Sequence, residues 1–427
     1  MQSPCPLAPL ALYVHWPFCR RKCPYCDYNS HVRENVAQEM WREALLKEFQ
    51  YFRQFNAQQP ITSIFFGGGT PSLMPFATLE AFLNTVASTG AGIAAAAEIT
   101  LEANPSFLPD NFFKDLRATG VNRVSIGVQA LNDTDLRFLG RDHSTQQAFR
   151  AIEGVAQHFD RYSFDLIFGR PQQTVALWEQ ELTQALATGV QHLSLYQLSI
   201  EEGTAFYTKA QRGEIVLPPD DTLAEMYLLN KQRCGEHGLE QYEISSYAAR
   251  GQACQHNLHY WRYHDYMGVG AGAHGRLSLD SSQLKELRGL RSSAARALPL
   301  ATYLCNSSGA SGIDGIKTAT AQARLPETWL SLVQTQGHGT ATFTPLAVET
   351  QVEELIILGL RVHTGISHAT FARVAGKAMQ AYFSAETLEK LTQQGLLAID
   401  AAGFRATAAG LLVLNYVEEQ LLDSIMG

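Results

Sequence analysis

Short runs rich in β-branched and aromatic residues alternate with helix-period segments through the first half of the chain. This alternation limits the fold more than any other feature of the sequence. The strand-like runs are Leu12–Trp16, Ser63–Phe66, Glu98–Glu102, Arg123–Gly127, Ser163–Ile167 and His192–Leu198. Helical spacing marks Val36–Gln54, Ala77–Val86, Asp110–Ala118, Thr145–Gln157 and Val175–Ala187 between them. Repeats of this length imply a parallel sheet, with a helix crossing over between successive strands. Crossovers of one hand make an open or partial barrel the natural closure. The expected fold class is therefore α/β, a partial (β/α)6 TIM-like barrel.

Chemistry-bearing residues sit just past these strands. Three cysteines follow the first, Gly67-Gly68-Gly69-Thr70 the second, Glu102 the third and Gln129 the fourth. In β/α folds the ligand site lies at the C-terminal ends of the strands, so the placement points to one site.

Cys19, Cys23 and Cys26 are spaced C-x3-C-x2-C. With His15 or His31 as a fourth ligand they could hold structural zinc, but the spacing lacks the paired C-x2-C knuckles usual for that metal. Three thiolates also suit a [4Fe-4S] cluster in which the fourth iron stays open to a small molecule. The Gly run taken alone is a weak signal, more often a turn than a ligand cradle. Glu102 taken alone could be a surface carboxylate or a cap.

Composition narrows the class. The net charge is −8 with no basic run, which argues against binding nucleic acid through its phosphates. No apolar stretch reaches the roughly 20 residues that span a bilayer. The N-terminus has prolines in its apolar part and no positive start, unlike a signal peptide. The expected location is cytoplasmic. Seven cysteines, three of them clustered, suit metal or redox chemistry better than a disulfide framework.

The triad resembles the signature of the radical S-adenosylmethionine (SAM) superfamily. Together "YVHWPFCRRKCPYCDYNSH", "GGGTP", "SIGVQA", "LGRDH", "DLIFG" and "HNLHYW" resemble the oxygen-independent coproporphyrinogen dehydrogenase family and its heme-chaperone, HemW-like, relatives. The likeness covers Leu10–His274 and resumes at about Ile316. It implies a radical SAM barrel, with the cluster on Cys19, Cys23 and Cys26 and the methionine end of SAM on the open iron. It also implies a SAM site of Tyr13, Tyr25, Gly68, Gly69, Thr70, Glu102, Gln129, Arg141, Asp165 and Ser199. The chemistry suits those roles: Tyr25 against adenine, Asp165 and Gln129 on ribose hydroxyls, Arg141 on the methionine carboxylate. The dehydrogenases carry a further cysteine where this chain has Tyr28, and a longer N-terminal extension. The resemblance therefore favours the heme-chaperone branch. Oxidative decarboxylation of coproporphyrinogen III is the alternative.

"QHNLHYWRYHDY" concentrates imidazoles and aromatic rings. A neutral imidazole can ligate heme iron and aromatic faces can cover a porphyrin, though such runs more often pack in a core. The H-N-x-x-Y-W motif is implicated in heme binding in that branch. This makes His256 the expected ligand, with His259 and Cys254 as alternates. The expected partners are heme, a heme-acceptor protein and an electron donor for the cluster. Peripheral contact with membrane-bound acceptors is compatible with this set, as is a monomer or a dimer. Five segments are expected: a barrel core at 1–200, an extension bearing the histidine stretch at 201–280, a flexible Ser/Ala/Gly-rich insertion at 281–315, a connecting segment at 316–344 and a mostly helical, winged-helix-like domain at 345–427.

Overall fold

The structure is a computed structural model and describes residues 9–106, 108–284 and 315–425. The insertion expected at 281–315 lies, from 285 to 314, outside the described residues.

One 12-stranded sheet organises the barrel. Six strands follow the expected runs: β1 (Leu10–Trp16), β2 (Ile61–Gly68), β3 (Ile93–Ala103), β4 (Arg123–Gln129), β5 (Tyr162–Phe168) and β6 (His192–Gln197). Neighbours within this set pair in parallel. The helices α1 (Gln38–Arg53), α2 (Phe76–Ser88), α3 (Phe112–Ala118), α4 (Asp133–Phe138), α5 (Thr145–Ala156) and α6 (Val175–Leu186) lie between them in sequence. Local signals set several starts. Ser144 and Gln147 form a reciprocal capping box before α5, and the Thr174 side chain caps α6.

The flanks extend this set. β7 (Glu240–Glu243) and β8 (Ser246–Ala248) form a hairpin, and β8 pairs antiparallel with β6. Beyond β1 the order continues through β9 (Tyr266–Val269), β10 (His274–Leu279), β11 (Ile316–Gln322) and β12 (Thr340–Pro345). β9 is parallel to β1 and the remaining pairs are antiparallel. Residues 316–344 thus add two strands of the main sheet and a helix, Pro326–Gln336. The sheet order is linear, as an open barrel requires.

The parallel strands alternate in a way that separates packing from chemistry. Val124, Ile126, Phe164, Leu166, Leu193 and Leu195 belong to the large apolar core. The residues between them, Arg123, Ser125, Ser163, His192 and Ser194, are buried and polar. Successive side chains of a strand point to opposite faces, so one face carries the core and the other a polar lining. Interiors of closed barrels are ordinarily filled by branched apolar side chains. A polar inner face marks a space kept for a ligand.

After β6 come α7 (Ala205–Gln211), α8 (Asp220–Glu236) and α9 (Gln255–Trp261). α9 packs against β1 and β2. His256 reaches Ser63 Oγ with Nδ1 at 3.1 Å, and its ring stacks on Phe65 with centroids 5.1 Å apart. The C-terminal domain has its own core around Phe371, Phe383, Leu391, Phe404 and Val417. Its helices and three-stranded sheet (Ile366–Ser367, Gly403–Ala406, Leu397–Ile399) match the winged-helix-like expectation. Its first helix, Val348–Gly359, packs on α9. Glu354 of that helix accepts the Tyr263 hydroxyl at 2.8 Å and pairs with Arg276 at 2.7 Å.

Candidate functional site

A cavity of about 400 Å³ opens at the C-terminal ends of the parallel strands. Cys19, Cys23 and Cys26 line it from the loop after β1. Gly68, Gly69 and Thr70 line it after β2, Glu102 at the end of β3 and Gln129 at the end of β4. Tyr25, Arg141, Asp165 and Ser199 complete the predicted set. Tyr13 stands apart: it lies on β1 beneath the cavity, with its hydroxyl on His15 Nδ1 at 2.9 Å.

The three thiols are held by donors as well as by sequence. Thr70 Oγ1 donates to Cys19 Sγ at 3.3 Å, and Arg141 Nη1 approaches Cys23 Sγ at 3.5 Å. Cys26 Sγ and Ser30 Oγ lie 4.0 Å apart. Burial pushes the Cys19 and Cys26 thiols up, and the Thr70 and Ser30 hydroxyls pull against it toward the thiolate, the form that binds metal. Among the described residues no three His, Cys, Asp or Glu side chains stand preassembled around a metal position, the cysteine triad included, and His15 and His31 are engaged by the backbone. His15 Nε2 bonds the Asn29 carbonyl at 2.9 Å and His31 Nε2 the Arg324 carbonyl at 3.2 Å. This donor set, three thiols with no fourth protein ligand in place, fits an iron–sulfur cluster with one open iron.

Deeper in the cavity lie two half-buried carboxylates, Glu102 and Asp165. Burial pushes Glu102 up to about 8, and the Asp165 charge adds to it, while the Gly68 N–H (3.3 Å from Oε2) pulls it down. Burial likewise raises Asp165 to about 6 against the opposing pull of Ser194, Arg123, Ser125 and Arg141. A carboxylate this uncomfortable in its ionised form is short of a cation, and a ligand carrying positive charge would supply it. The ammonium and sulfonium of SAM fit that need.

The glycines are required on geometric grounds. Gly68 has φ +111°, and a Cβ there would sit 2.6 Å from His15 Cε1. A Cβ on Gly69 would meet the Phe18 carbonyl oxygen at 2.7 Å. The run therefore lies flush against the strand and loop that carry the cysteines. Gln129 adopts φ +73°, a left-handed conformation unusual for a side chain other than Gly or Asn. Arg141 Nη2 donates to the Gly127 carbonyl at 2.7 Å, which locks the guanidinium across the cavity wall.

Comparison with known proteins agrees with this geometry. The Radical SAM superfamily pattern matches residues 13–183 and the HemN C-terminal domain residues 346–413. A Bos taurus protein named radical S-adenosyl methionine domain-containing protein 1, mitochondrial, is 36% identical over 99% of this chain and 90% of its own length. A Bacillus subtilis protein named heme chaperone HemW is 30% identical over 95% of this chain and 97% of its own. The chain belongs to the radical SAM superfamily, in its HemW branch. An Escherichia coli HemW is 40% identical over 65% of this chain and 73% of its own. The Escherichia coli coproporphyrinogen III oxidase structure (HemN) shares the fold, with TM-score 0.75 and 20% identity over 97% of this chain and 90% of that one. Membership of the radical SAM superfamily implies a [4Fe-4S] cluster and SAM. Among the described residues no helix is long and apolar enough to cross a membrane.

In this radical SAM protein the cavity has further lining residues that motif reading passed over. Ser125, Tyr28 and Tyr196 all face it. Tyr28 is 62% exposed at its mouth. The period-two alternation in "RVSIGVQ" and "HLSLYQ" was the available signal. Ser125 and Tyr196 share the face of Gly127 and Ser194, opposite the apolar residues.

The histidine stretch sits away from the cavity wall, under the barrel's inner face. His256 is 5% exposed. Burial, then His259 and Arg123, lowers its pKa to about 3, so the ring is neutral and chemically suited to bind iron. His259 Nε2 donates to the Asp265 carbonyl at 2.7 Å, and the buried Cys254 thiol points at Glu98 Oε1, 3.3 Å away. All three candidate ligands are buried.

Proposed function

We propose that this radical SAM protein is a heme chaperone, which binds heme and passes it to an acceptor protein. The carrying observation is that α9 holds a neutral His256 ringed by Phe65, Tyr13 and Tyr260. Relatives named heme chaperone, one matching along 95% of the chain, support it.

On this reading Cys19, Cys23 and Cys26 hold the cluster. Glu102 and Asp165 face the positive charges of SAM, Gln129 and Asp165 take its ribose, Tyr25 its adenine and Arg141 its carboxylate. Tyr13, Gly68, Gly69, Thr70 and Ser199 shape that site. When bound, the reduced cluster supplies an electron for reductive cleavage of SAM. His256 is the heme ligand, with His259 and Cys254 in reserve. An electron donor serves the cluster, and the acceptor can be membrane-bound and met peripherally. An oxygen-sensitive cluster beside free thiols suits a reducing compartment such as the cytoplasm. Decarboxylation of coproporphyrinogen III is not favoured, because Tyr28 occupies the position of the dehydrogenase cysteine and the shared fold carries no substrate with it.

The test is a heme titration of anaerobically reconstituted protein, followed at the Soret band, with His256→Ala alongside. Saturation near one heme per chain, weakened by the substitution, is the expected result. Absence of saturable binding sinks the chaperone reading, and coproporphyrinogen III becomes the next ligand to try.

A further inference from the structure

The entry to α9 hangs on one carboxylate and one guanidinium. Glu98 lies on the inner face of β3 and is 1% exposed. Its Oε1 accepts the His256 backbone N–H at 3.1 Å and faces the Cys254 thiol at 3.3 Å. Its Oε2 pairs with Arg161 Nη2 at 2.8 Å, and Arg123 Nε is 3.9 Å away. The same Arg161 amino group donates to the Ala253 carbonyl at 2.9 Å. Residues 253, 254 and 256 are thus tied to β3 through a single cluster of charge-assisted bonds.

The two partners differ in access. Glu98 and Arg123 are sealed in the barrel, but the Arg161 side chain is 27% exposed. Removing one member of a buried charge pair is costly because the other is left unpaired. The contact that can part at least cost is therefore the one that solvent already reaches. Upstream, Gly251 has φ +82° in a turn closed by the Gln252 N–H on the Ala249 carbonyl at 2.9 Å. Downstream the chain is fixed. Tyr263, at φ +60°, is buried, its hydroxyl bonded to Glu354 and its carbonyl to Lys317 Nζ at 3.0 Å.

We propose that Glu98 and Arg161 form a latch that decides whether His256 is open to heme, the entry of α9 being released when the Arg161 contacts part. This rests on the reading that His256 ligates heme. Ligation would use Nε2, whose lone pair replaces a water on the iron, since Nδ1 is engaged by Ser63. Both latch residues act through His256 and are positioning residues. The rate at which heme binds then scales with the fraction of molecules in the open state.

The experiment uses the full reconstituted chain. Heme association is followed by stopped-flow at the Soret band, and amide exchange is read over residues 253–261. Arg161→Ala is compared with wild type and with Glu181→Gln, which disturbs a buried ion pair with Arg170 elsewhere in the barrel. Arg161→Ala is expected to speed association by about tenfold and to accelerate exchange in α9, with the final Soret position unchanged. Glu98→Gln is expected to act in the same direction, and if it fails to fold the partly exposed Arg161 carries the test. An unchanged rate in Arg161→Ala overturns the latch, as does an equal rise in Glu181→Gln. Saturable heme binding that His256→Ala leaves intact overturns the His256 assignment, and with it the latch.

Discussion

The ring of Tyr13 stands 6.3 Å from that of His256, inclined at 34°. The Tyr13 hydroxyl meets His15 Nδ1, and His15 Nε2 meets the Asn29 carbonyl at 2.9 Å. A carbonyl can only accept, so Nε2 carries the proton and Nδ1 accepts from the tyrosine. Burial lowers His15 to about 4, which keeps this neutral tautomer. A continuous path thus runs from the cysteine-bearing loop to the helix that carries the histidine motif.

That path separates two properties of Tyr13. Tyr13→Phe removes the hydroxyl bond and keeps the ring against His256, so heme affinity should change little. Tyr13→Ala removes both and should weaken heme binding by about fivefold, the scale of one aromatic contact of ~1 kcal/mol. Soret titration of the two variants checks this, and equal losses would show that the hydroxyl, not the ring, matters.

The cluster assignment makes a simple prediction. Replacing Cys19, Cys23 and Cys26 together by Ala should abolish the broad iron–sulfur absorption and reduce bound iron from about four per chain to none. A reconstituted triple variant with normal iron and sulfide would refute the site. One zinc and no sulfide in the wild type would revive the zinc reading.

SAM binding should depend on pH through Glu102. Burial pushes its carboxyl up to about 8, so it is mostly protonated at pH 7. A cationic ligand binds the ionised form better, so binding expels a proton. Affinity should therefore rise between pH 7 and 8 by less than about tenfold per unit and level off above. Calorimetry in two buffers of different ionisation heat counts the released proton. Glu102→Gln should flatten the profile and weaken binding at pH 8.5.

Stability should carry a second pH signature, from Glu48 on α1. It is fully buried with no cation beside it and accepts N–H groups from Gly270, Gly339 and Trp329. Burial nevertheless raises it to about 7. Its folded value thus lies above its unfolded one. Its contribution is complete below about pH 4.5 and is lost as pH rises through 7, by roughly 3 kcal/mol. Urea unfolding of wild type and Glu48→Gln across this range should show a steeper loss in the wild type, the difference being Glu48's share; parallel profiles would contradict it.

Gly68→Ala should be costly beyond its size. It places a side chain at φ +111° and drives a Cβ into the His15 ring. A loss of about 1–3 kcal/mol is expected, with weaker cluster retention because His15 shares the Asn29 contact with the cysteine loop. Thermal unfolding and iron content together test it.

Much of the barrel was legible in the chain. Strand propensity marked the six parallel strands because each run pairs β-branched or aromatic residues with a boundary of polar and Gly residues. The thiol triad at one end of the barrel was legible because three cysteines at short spacing after a strand must lie together. Tyr196 and Ser125 were harder: nothing marks them until one knows which face of a parallel sheet is turned to the cavity. α4 also went unread, since six residues carry too little periodicity to distinguish helix from turn.

By itself the sequence determined the β/α order, the thiol triad and the residue types gathered at the strand ends, because these depend on local spacing and on side-chain chemistry. Only the tertiary structure decided what those residues meet. It set Glu102 and Asp165 together without a cation between them, turned the polar face of the strands inward, and buried His256 under β1 and β2. It also bound the entry of its helix to Glu98, which lies 158 positions away in the chain. Burial and long-range charge pairing are sums over neighbours distant in sequence, so no local pattern can contain them.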